Sequence, residues 1–538
     1  MSRAKLLSGS GSIGKGSVGQ SSVGQGSGDR DSVDRNSGGT DSRDWYDRRV
    51  LLLFVLGISA GIPILLIFST LSLWLREAGV SKSAVTYFSW AALGYSFKFV
   101  WAPLVDKVPI PLFNRLGRRR SWLLIAQFAV IAAIVLMALT DPQNGLRNMA
   151  FAAVFLGFSS ATQDIVIDAY RIECAGSRLQ ALLSSAYIAG YRVGMVIAGA
   201  GSLYLASHFG STTDHYSYDA WRLSYFCMAA AMGLGVCTTM VAAEPDRNSD
   251  KSYPYSGADY CRFVLLFVVA AIGFIAVHKF WPAIDHSYKG GTGKLIDFIF
   301  GSIRMLLSIT VFVALAIIGA RTKLVNSLLV DEGYIQPVMD FFRRYGRLAL
   351  WVLLLIGFYR VSDIVMGIVA NVFYQDIGFS KKEIASVTKV FGLLMTIVGS
   401  FAGGFLAVRF GVIRILMLGA VLAAVSNLLF MWLANMQMPE INALISVIAA
   451  DNFSAGLATA AFVAWLSSLT NLSFTAVQYA LFSSFMTLFP KLLGGYSGTA
   501  VETFGYGQFF LATALLGIPV MILVWYLSSA IDSFQSPE

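Results

Sequence analysis

Charge is what this chain has little of. Only 13% of its 538 residues are Asp, Glu, Lys or Arg, against roughly 25% in a soluble domain. With 56% hydrophobic residues, no soluble core could absorb the apolar surface, so a soluble fold is excluded. Cysteine is scarce as well. Cys174, Cys227, Cys237 and Cys261 stand in or beside apolar runs with no C-x-x-C pair, which argues against a disulfide framework and a thiolate metal site. His208, His215, His278 and His286 lie in or near loops, with no carboxylate or cysteine to complete a ligand set. Nucleophile–base clusters are missing too, so neither an enzyme nor a cofactor is expected. The net charge of +9 is spread over short links between apolar runs. That is a topology signal of membrane insertion, and no nucleic-acid partner is expected.

Long apolar runs are what the chain has in abundance. They fall at about 50–74, 84–105, 121–140, 148–170, 180–207, 221–243, 261–281, 296–320, 347–372, 384–408, 412–434, 441–468, 475–494 and 507–530. Many reach the roughly 20 residues needed to cross a bilayer. The expectation is an all-α polytopic membrane protein with about 14 spans. Residues 1–45 differ: Gly, Ser, Asp and Arg dominate, and Ser-Val-Gly-Gln occurs twice. A disordered cytoplasmic tail is expected there, without the apolar segment of a cleavable signal.

The chain also repeats itself. Gly79-Val80-Ser81-Lys82 returns as Gly378-Phe379-Ser380-Lys381, and Phe158-Ser159 as Phe453-Ser454. Gln180-Ala181-Leu182-Leu183-Ser184-Ser185 answers to Gln478-Tyr479-Ala480-Leu481-Phe482-Ser483-Ser484. This offset pairs the first six runs with the last six and leaves the two at 261–281 and 296–320 as an insertion. The expected units are the tail, a six-helix half over 46–243, a linker with two inserted helices over 244–346, a second half over 347–530, and a short cytoplasmic tail over 531–538. Two facing halves are the architecture of secondary transporters, which work by alternating access, whereas a channel needs a continuous pore. Lys and Arg favour one set of loops by nearly two to one, placing both termini in the cytoplasm.

Several polar residues interrupt the spans. Lys98 lies deep in the second run between Tyr95 and Trp101, where snorkelling is the plain alternative. Gln163, Asp164 and Asp168 fall near the end of the fourth. The two aspartates share a helix face, with Arg171 one turn beyond. Arg192 sits mid-span in the fifth run among Gly190, Gly194, Gly199 and Gly201. Arg360 and Asp363 are three apart in the run at 347–372, and a self-neutralising pair is the plain alternative there. Asp451-Asn452 falls near the midplane of its span. Intramembrane charges are costly and mark substrate or ion paths, so these nine residues are the expected substrate-binding or proton-coupling set. Ser380 followed by Glu383 reads as a capping box.

Gly403-Gly404-Phe405-Leu406-Ala407-Val408-Arg409-Phe410-Gly411-Val412-Ile413-Arg414 resembles the G-x-x-x-(A/D)-(D/x)-R-x-G-x-(R/K) loop of the major facilitator superfamily. Leu104-Val105-Asp106-Lys107 followed by Gly117-Arg118-Arg119-Arg120 is the first-half version, stretched by an insertion. A gating latch of Asp106, Arg118, Arg119, Arg120 and Arg409 is expected, beyond what topology alone requires.

A narrower resemblance follows. Lys98-Phe99-Val100-Trp101-Ala102-Pro103-Leu104-Val105-Asp106, Gln163-Asp164 through Asp168-Ala169-Tyr170, Tyr359-Arg360-Val361-Ser362-Asp363 and Asn452-Phe453-Ser454 through Ala464 are similar to signatures of the AmpG muropeptide permease family. The resemblance runs from about residue 50 to 530. It implies a bacterial inner-membrane symporter, driven by protons, that imports N-acetylglucosamine–1,6-anhydro-N-acetylmuramic acid and its muropeptides for wall recycling, and so influences β-lactamase induction. A monomer using the proton gradient, with no other cofactor, is the matching expectation. The fifth span lacks the Gly-Pro pattern common in antiporters, which also favours symport. Acetyl-CoA and other anionic-solute transporters of the superfamily share part of the pattern.

Overall fold

The computed structural model describes residues 47–80, 88, 93–110, 116–211, 215–245, 255–280, 294–322, 324–436, 440–494 and 497–535. The tail expected over 1–45, Ser81-Lys82 and most of the opening of the second run lie outside them.

The first half begins with α1 (Arg48–Ile67) and α2 (Ser69–Glu77). Asp47 starts α1 by accepting the Arg49 backbone N–H at 2.8 Å, the ordinary solution for an orphan donor at a helix start. Then come α3 (Leu93–Phe97), a 3₁₀ turn at Lys98–Val100 and α4 (Ala102–Lys107), which together end the second run. α5 (Arg118–Ala138) and α6 (Pro142–Glu173) follow. α6 opens with Asp141 as its cap and Pro142 in the first turn, where the missing N–H costs nothing. α7 (Ser177–Val196), a π-turn, α8 (Ser202–His208) and α9 (Tyr218–Val241) complete this half.

Two inserted helices come next, α10 (Gly257–Phe280) and α11 (Lys294–Arg321). They pack on each other, with Gly273 against Leu315 and Gly319 against Leu266. Only 17% of the α10 apolar window is buried, against 61% for α1–α2, so α10 is peripheral to the bundle. A connector holds α12 (Ser327–Val330), a π-turn at Asp331–Ile335 and α13 (Gln336–Tyr345). The second half is α14 (Leu348–Phe358), α15 (Val361–Asp376), α16 (Lys381–Ile384), α17 (Gly392–Phe410), α18 (Val412–Ala434), α19 (Ile441–Leu469), α20 (Thr475–Gly494), α21 (Ser497–Leu515) and α22 (Gly517–Gln535). At the start of α16, Ser380 Oγ donates to Glu383 at 2.7 Å and accepts the Glu383 N–H at 3.3 Å, forming the capping box.

Eleven helices among the described residues are long and apolar enough to cross a membrane. The 14 expected runs include three that do not meet this measure, at 84–105, 296–320 and 475–494. The described part of the first is broken into short pieces around Lys98–Val100. In α11 the apolar stretch that is described is the shorter Thr310–Arg321, and α20 carries Thr475, Gln478, Ser483, Ser484 and Lys491. α20 is diluted for a reason: it faces α3, α4 and α6 of the other half rather than lipid alone.

Each half is welded along a glycine seam. A Cβ on Gly61 would lie 2.0 Å from the Tyr191 carbonyl oxygen, and one on Gly190 would lie 1.9 Å from that of Phe54. α1 and α7 therefore touch backbone to backbone, the close approach that small residues permit in membranes. α17 and α19 repeat this through Gly399 against Phe453 and Gly456 against Thr396. The halves meet through α7 against α17 and α19, and through the second run against α20. One apolar core at the end carrying the basic links draws on both halves, including Trp101, Val105, Trp465 and Phe482. At the other end each half has a core of its own, around Trp74 and Trp221 in the first and Phe373 and Phe510 in the second.

Candidate functional site

α6 and the 3₁₀ turn that breaks the second run bring three charges together. Lys98 is buried, with Nζ 3.4 Å from Asp168 Oδ2, so it turns inward rather than snorkelling. Asp168 Oδ1 lies 3.4 Å from the Arg171 guanidinium on the next turn. Arg171 is fully buried and reaches across the molecule. It donates at 2.7 Å both to Ser184 Oγ of α7 and to Ser467 Oγ of α19. Its guanidinium lies over the Tyr187 ring at 5.9 Å and the Tyr479 ring at 5.1 Å, one ring from each half. Asp164, one turn before Asp168, is buried, and its Oδ1 has no hydrogen-bond partner. Gln163 Nε2 donates to Ser59 Oγ at 3.3 Å, while its Oε1 is also without a partner.

The second half presents a looser set. Arg360 stands where α14 gives way to α15 and donates to Thr459 Oγ1 at 2.5 Å. Its Nε lies 3.3 Å from Asp363 Oδ2, an ion pair by proximity because that Nε makes no aligned hydrogen bond. Asp451 is half-buried and accepts from Ser426 Oγ at 3.3 Å. The charges of Asp363 and Arg360 both reach it. Asn452 is occupied otherwise: Thr396 donates to its Oδ1 at 3.0 Å and its Nδ2 donates to the Ile448 carbonyl at 3.1 Å, tying α19 to α17. Arg192, half-buried on α7, has Met195 Sδ at 3.7 Å and feels the charge of Arg360 from the opposite half.

At the basic-link end, Arg119 is the hub. Its Nη2 donates to Asp106 Oδ1 at 2.8 Å, to Glu173 Oε1 at 2.6 Å and to Thr475 Oγ1 of α20 at 2.9 Å. Thr475 in turn hydrogen-bonds Glu173. Arg118 reaches the Asp106 carbonyl at 3.0 Å and Glu173 at 3.3 Å. Arg120 points elsewhere, donating to the carbonyls of Thr239 at 3.2 Å and Met240 at 2.8 Å. Arg409 is exposed, lying over the Phe410 ring at 5.5 Å, and the structure places it apart from this cluster.

Reading the sequence overlooked the partners Glu173 and Thr475, and a second tie in which Lys107 pairs with Glu332 at 3.0 Å. The repeat held a usable clue. Gln180 Nε2 donates to the carbonyls of Arg171, Ile172 and Ala175 at 2.9–3.1 Å, closing the end of α6. Its counterpart Gln478 accepts the Asn471 N–H at 2.7 Å, just beyond the end of α19.

Comparison with known proteins follows the same lines. Residues 49–144 match the family model described as acetyl-coenzyme A transporter 1. The chain is 32% identical to the putative transporter AmpG 4 of Rickettsia conorii, over 90% of this chain and 98% of that one. It is 28% identical to the anhydromuropeptide permease of Escherichia coli K12, over 88% of this chain and 79% of that one. Among solved structures, the proton:xylose symporter XylE matches with a TM-score of 0.57 at 15% identity, over 90% of this chain and 96% of that one. FucP, solved in its outward conformation, matches with a TM-score of 0.55 at 11% identity, over 90% and 99%. These likenesses establish the all-helical fold of the major facilitator superfamily.

Proposed function

The chain belongs to the AmpG family of the major facilitator superfamily, transporters rather than enzymes, and from that premise we propose that it imports anhydromuropeptides across a bacterial inner membrane with protons. The observation that carries the substrate is the likeness to the anhydromuropeptide permease over most of both chains. The charges between the halves are compatible with such a solute. Arg192 feels the charge of Arg360 from the opposite half; Arg360 has Asp363 beside it, whereas Arg192 makes no ion pair among the described residues. An anionic peptide stem laid between them relieves their repulsion. The Tyr187 and Tyr479 rings beside Arg171 suit sugar faces.

Proton coupling is assigned to Asp164 and Asp451. An ionised carboxylate oxygen buried without a donor costs more than a protonated one, and Asp164 Oδ1 is such an atom. Asp451 has one hydroxyl partner and a second carboxylate, Asp363, in its field. By the lysine and arginine bias, the end where both halves share one core is the cytoplasmic one.

The test is uptake of labelled anhydro-disaccharide into proteoliposomes, with and without an inward proton gradient, competed by acetyl-CoA and by simple sugars. Gradient-driven uptake blocked by unlabelled muropeptide alone is expected. Competition by acetyl-CoA at equal concentration would move the substrate assignment to the acetyl-CoA class. Asp164→Asn and Asp451→Asn should both insert normally and take up solute without response to the gradient. A full gradient response in either variant removes that residue from the proton path.

A further inference from the structure

The connector between α11 and α14 has two sides with different chemistry. Its inner side ties down both gate helices. Glu332 meets Lys107 at 3.0 Å and the Tyr334 hydroxyl donates to the Val100 carbonyl at 3.0 Å, both on the second run. One turn further on, Asp340 accepts from Gln478 Nε2 at 2.9 Å and from Asn471 Nδ2 at 3.0 Å. Pro337 and Phe341 are buried beneath, Phe341 edge-on to Phe482 of α20 at 5.2 Å.

The outer side is apolar and uncovered. Ile335, Val338, Met339 and Phe342 are 53%, 37%, 44% and 38% exposed. They recur at i, i+3, i+4 and i+7, so they form one stripe along the helix. Arg343 flanks the stripe, and Arg347 follows just after Gly346, whose φ of 49° turns the chain out of α13. Both arginines are exposed, and neither makes an ion pair among the described residues. The connector joins α11 to α14, which with the start of α15 makes up the candidate membrane span Leu348–Gly367, so it lies at the membrane surface. An apolar stripe with arginines on its flank is the pattern of a helix lying in the headgroup region.

We infer that the outer face of α13 is a docking surface for the bilayer leaflet, with anionic phospholipid headgroups held by Arg343 and Arg347. A second copy of the chain fits this face less well. A two-fold pairing would set like against like, arginine facing arginine. Through the inner side, lipid held here bears on the second run and α20, the two helices that must part when this end opens.

The test uses the full chain in nanodiscs, its four native cysteines replaced and Met339→Cys carrying a bimane fluorophore. Spin-labelled phosphatidylglycerol should quench it more than spin-labelled phosphatidylcholine, and aqueous iodide should quench it least. Arg343→Gln and Arg347→Gln should each lower the preference for the anionic lipid about fivefold, as expected for one basic residue near a charged surface. These are exposed positions, and a monodisperse elution profile checks that the variants fold. Equal quenching by both lipids would overturn the anionic site. Quenching by iodide but not lipid would show a solvated face, and quenching by none would show a protein partner; either result overturns the proposal.

Discussion

Arg119 Nη2 donates to Thr475 Oγ1 at 2.9 Å, joining two residues 356 positions apart and on opposite halves of the bundle. The bond belongs to the closed end only, so its energy biases the choice between states rather than the fold. Thr475→Val keeps the shape and removes the acceptor while leaving the Arg119 pairs with Asp106 and Glu173. A loss of about 1.5 kcal/mol, the lower worth of a hydrogen bond to a charged group, should move the equilibrium about tenfold toward opening. A cysteine at Ala464, buried in α19, should then be labelled faster from the basic-link side. An unchanged rate would mean that the bond does not distinguish the two states.

The cluster around Arg119 should be sharply unequal in its sensitivity. Arg119→Gln leaves two carboxylates, Asp106 and Glu173, whose side chains are each only 2% exposed, with Arg118 at 3.6 and 3.3 Å as the remaining cation. Removing one partner from buried ion pairs costs about 3–5 kcal/mol. Arg409→Gln, at an exposed position with only a ring contact, should stay within about 0.5 kcal/mol. Thermal unfolding in detergent separates the two, and equal melting temperatures would contradict the assignment of Arg119 as the hub.

Arg360 and Asp363 pose a question of neutralisation against recognition. If they serve only each other, Arg360→Met with Asp363→Leu should transport better than Arg360→Met alone, since a lone buried charge is the costly state. If Arg360 holds a substrate carboxylate, both variants should lose uptake to the same degree. Initial rates at saturating solute decide between them.

Glu383 gives a pH dependence with a definite sign. Hydrogen bonds from the Ser380 hydroxyl and then its backbone N–H hold this exposed carboxylate below its ordinary value. A depressed carboxylate stabilises the fold above its unfolded value, about 4.3. The contribution is lost as pH falls through the lower folded value. Hydrogen exchange at the α16 amides should therefore rise across that acid window in the parent, and show a smaller step in Ser380→Ala, which loses the hydroxyl but keeps the backbone N–H.

Much of the fold was legible because membrane insertion writes itself into composition. Spans announce themselves by length, and the duplication by the paired Gln180 and Gln478 phrases, whose side chains both serve the ends of the preceding helices. Lys98, Asp168 and Arg171 were legible as out-of-place charges, although the direction of Lys98 was not. The partners were hidden. Glu173 and Thr475 are 302 positions apart, and Lys107 and Glu332 are 225 apart. No local periodicity links such residues, and a threonine at a helix start looks like an ordinary cap. Asn452 was legible by its midplane position, but the partners of its amide, Thr396 and Ile448, were not.

The glycine seam between α1 and α7 has a mechanical consequence. With Gly61 and Gly190 so close to the opposing carbonyls that a Cβ would lie 2.0 and 1.9 Å from them, neither helix has room to slide past the other. α7, 20 residues and so about 30 Å long at 1.5 Å per residue, then behaves as a stiff beam joined to its neighbour as far as the π-turn that follows it. Its fulcrum is the contact of Ser185 with Gly404, nearer its start than its end. A beam pivoted off centre moves less on its short arm than on its long one. Displacements around Arg171 thus become larger ones at the opposite mouth, and a seam substitution as slight as Gly190→Ala would blunt that gain even where every charged residue is intact.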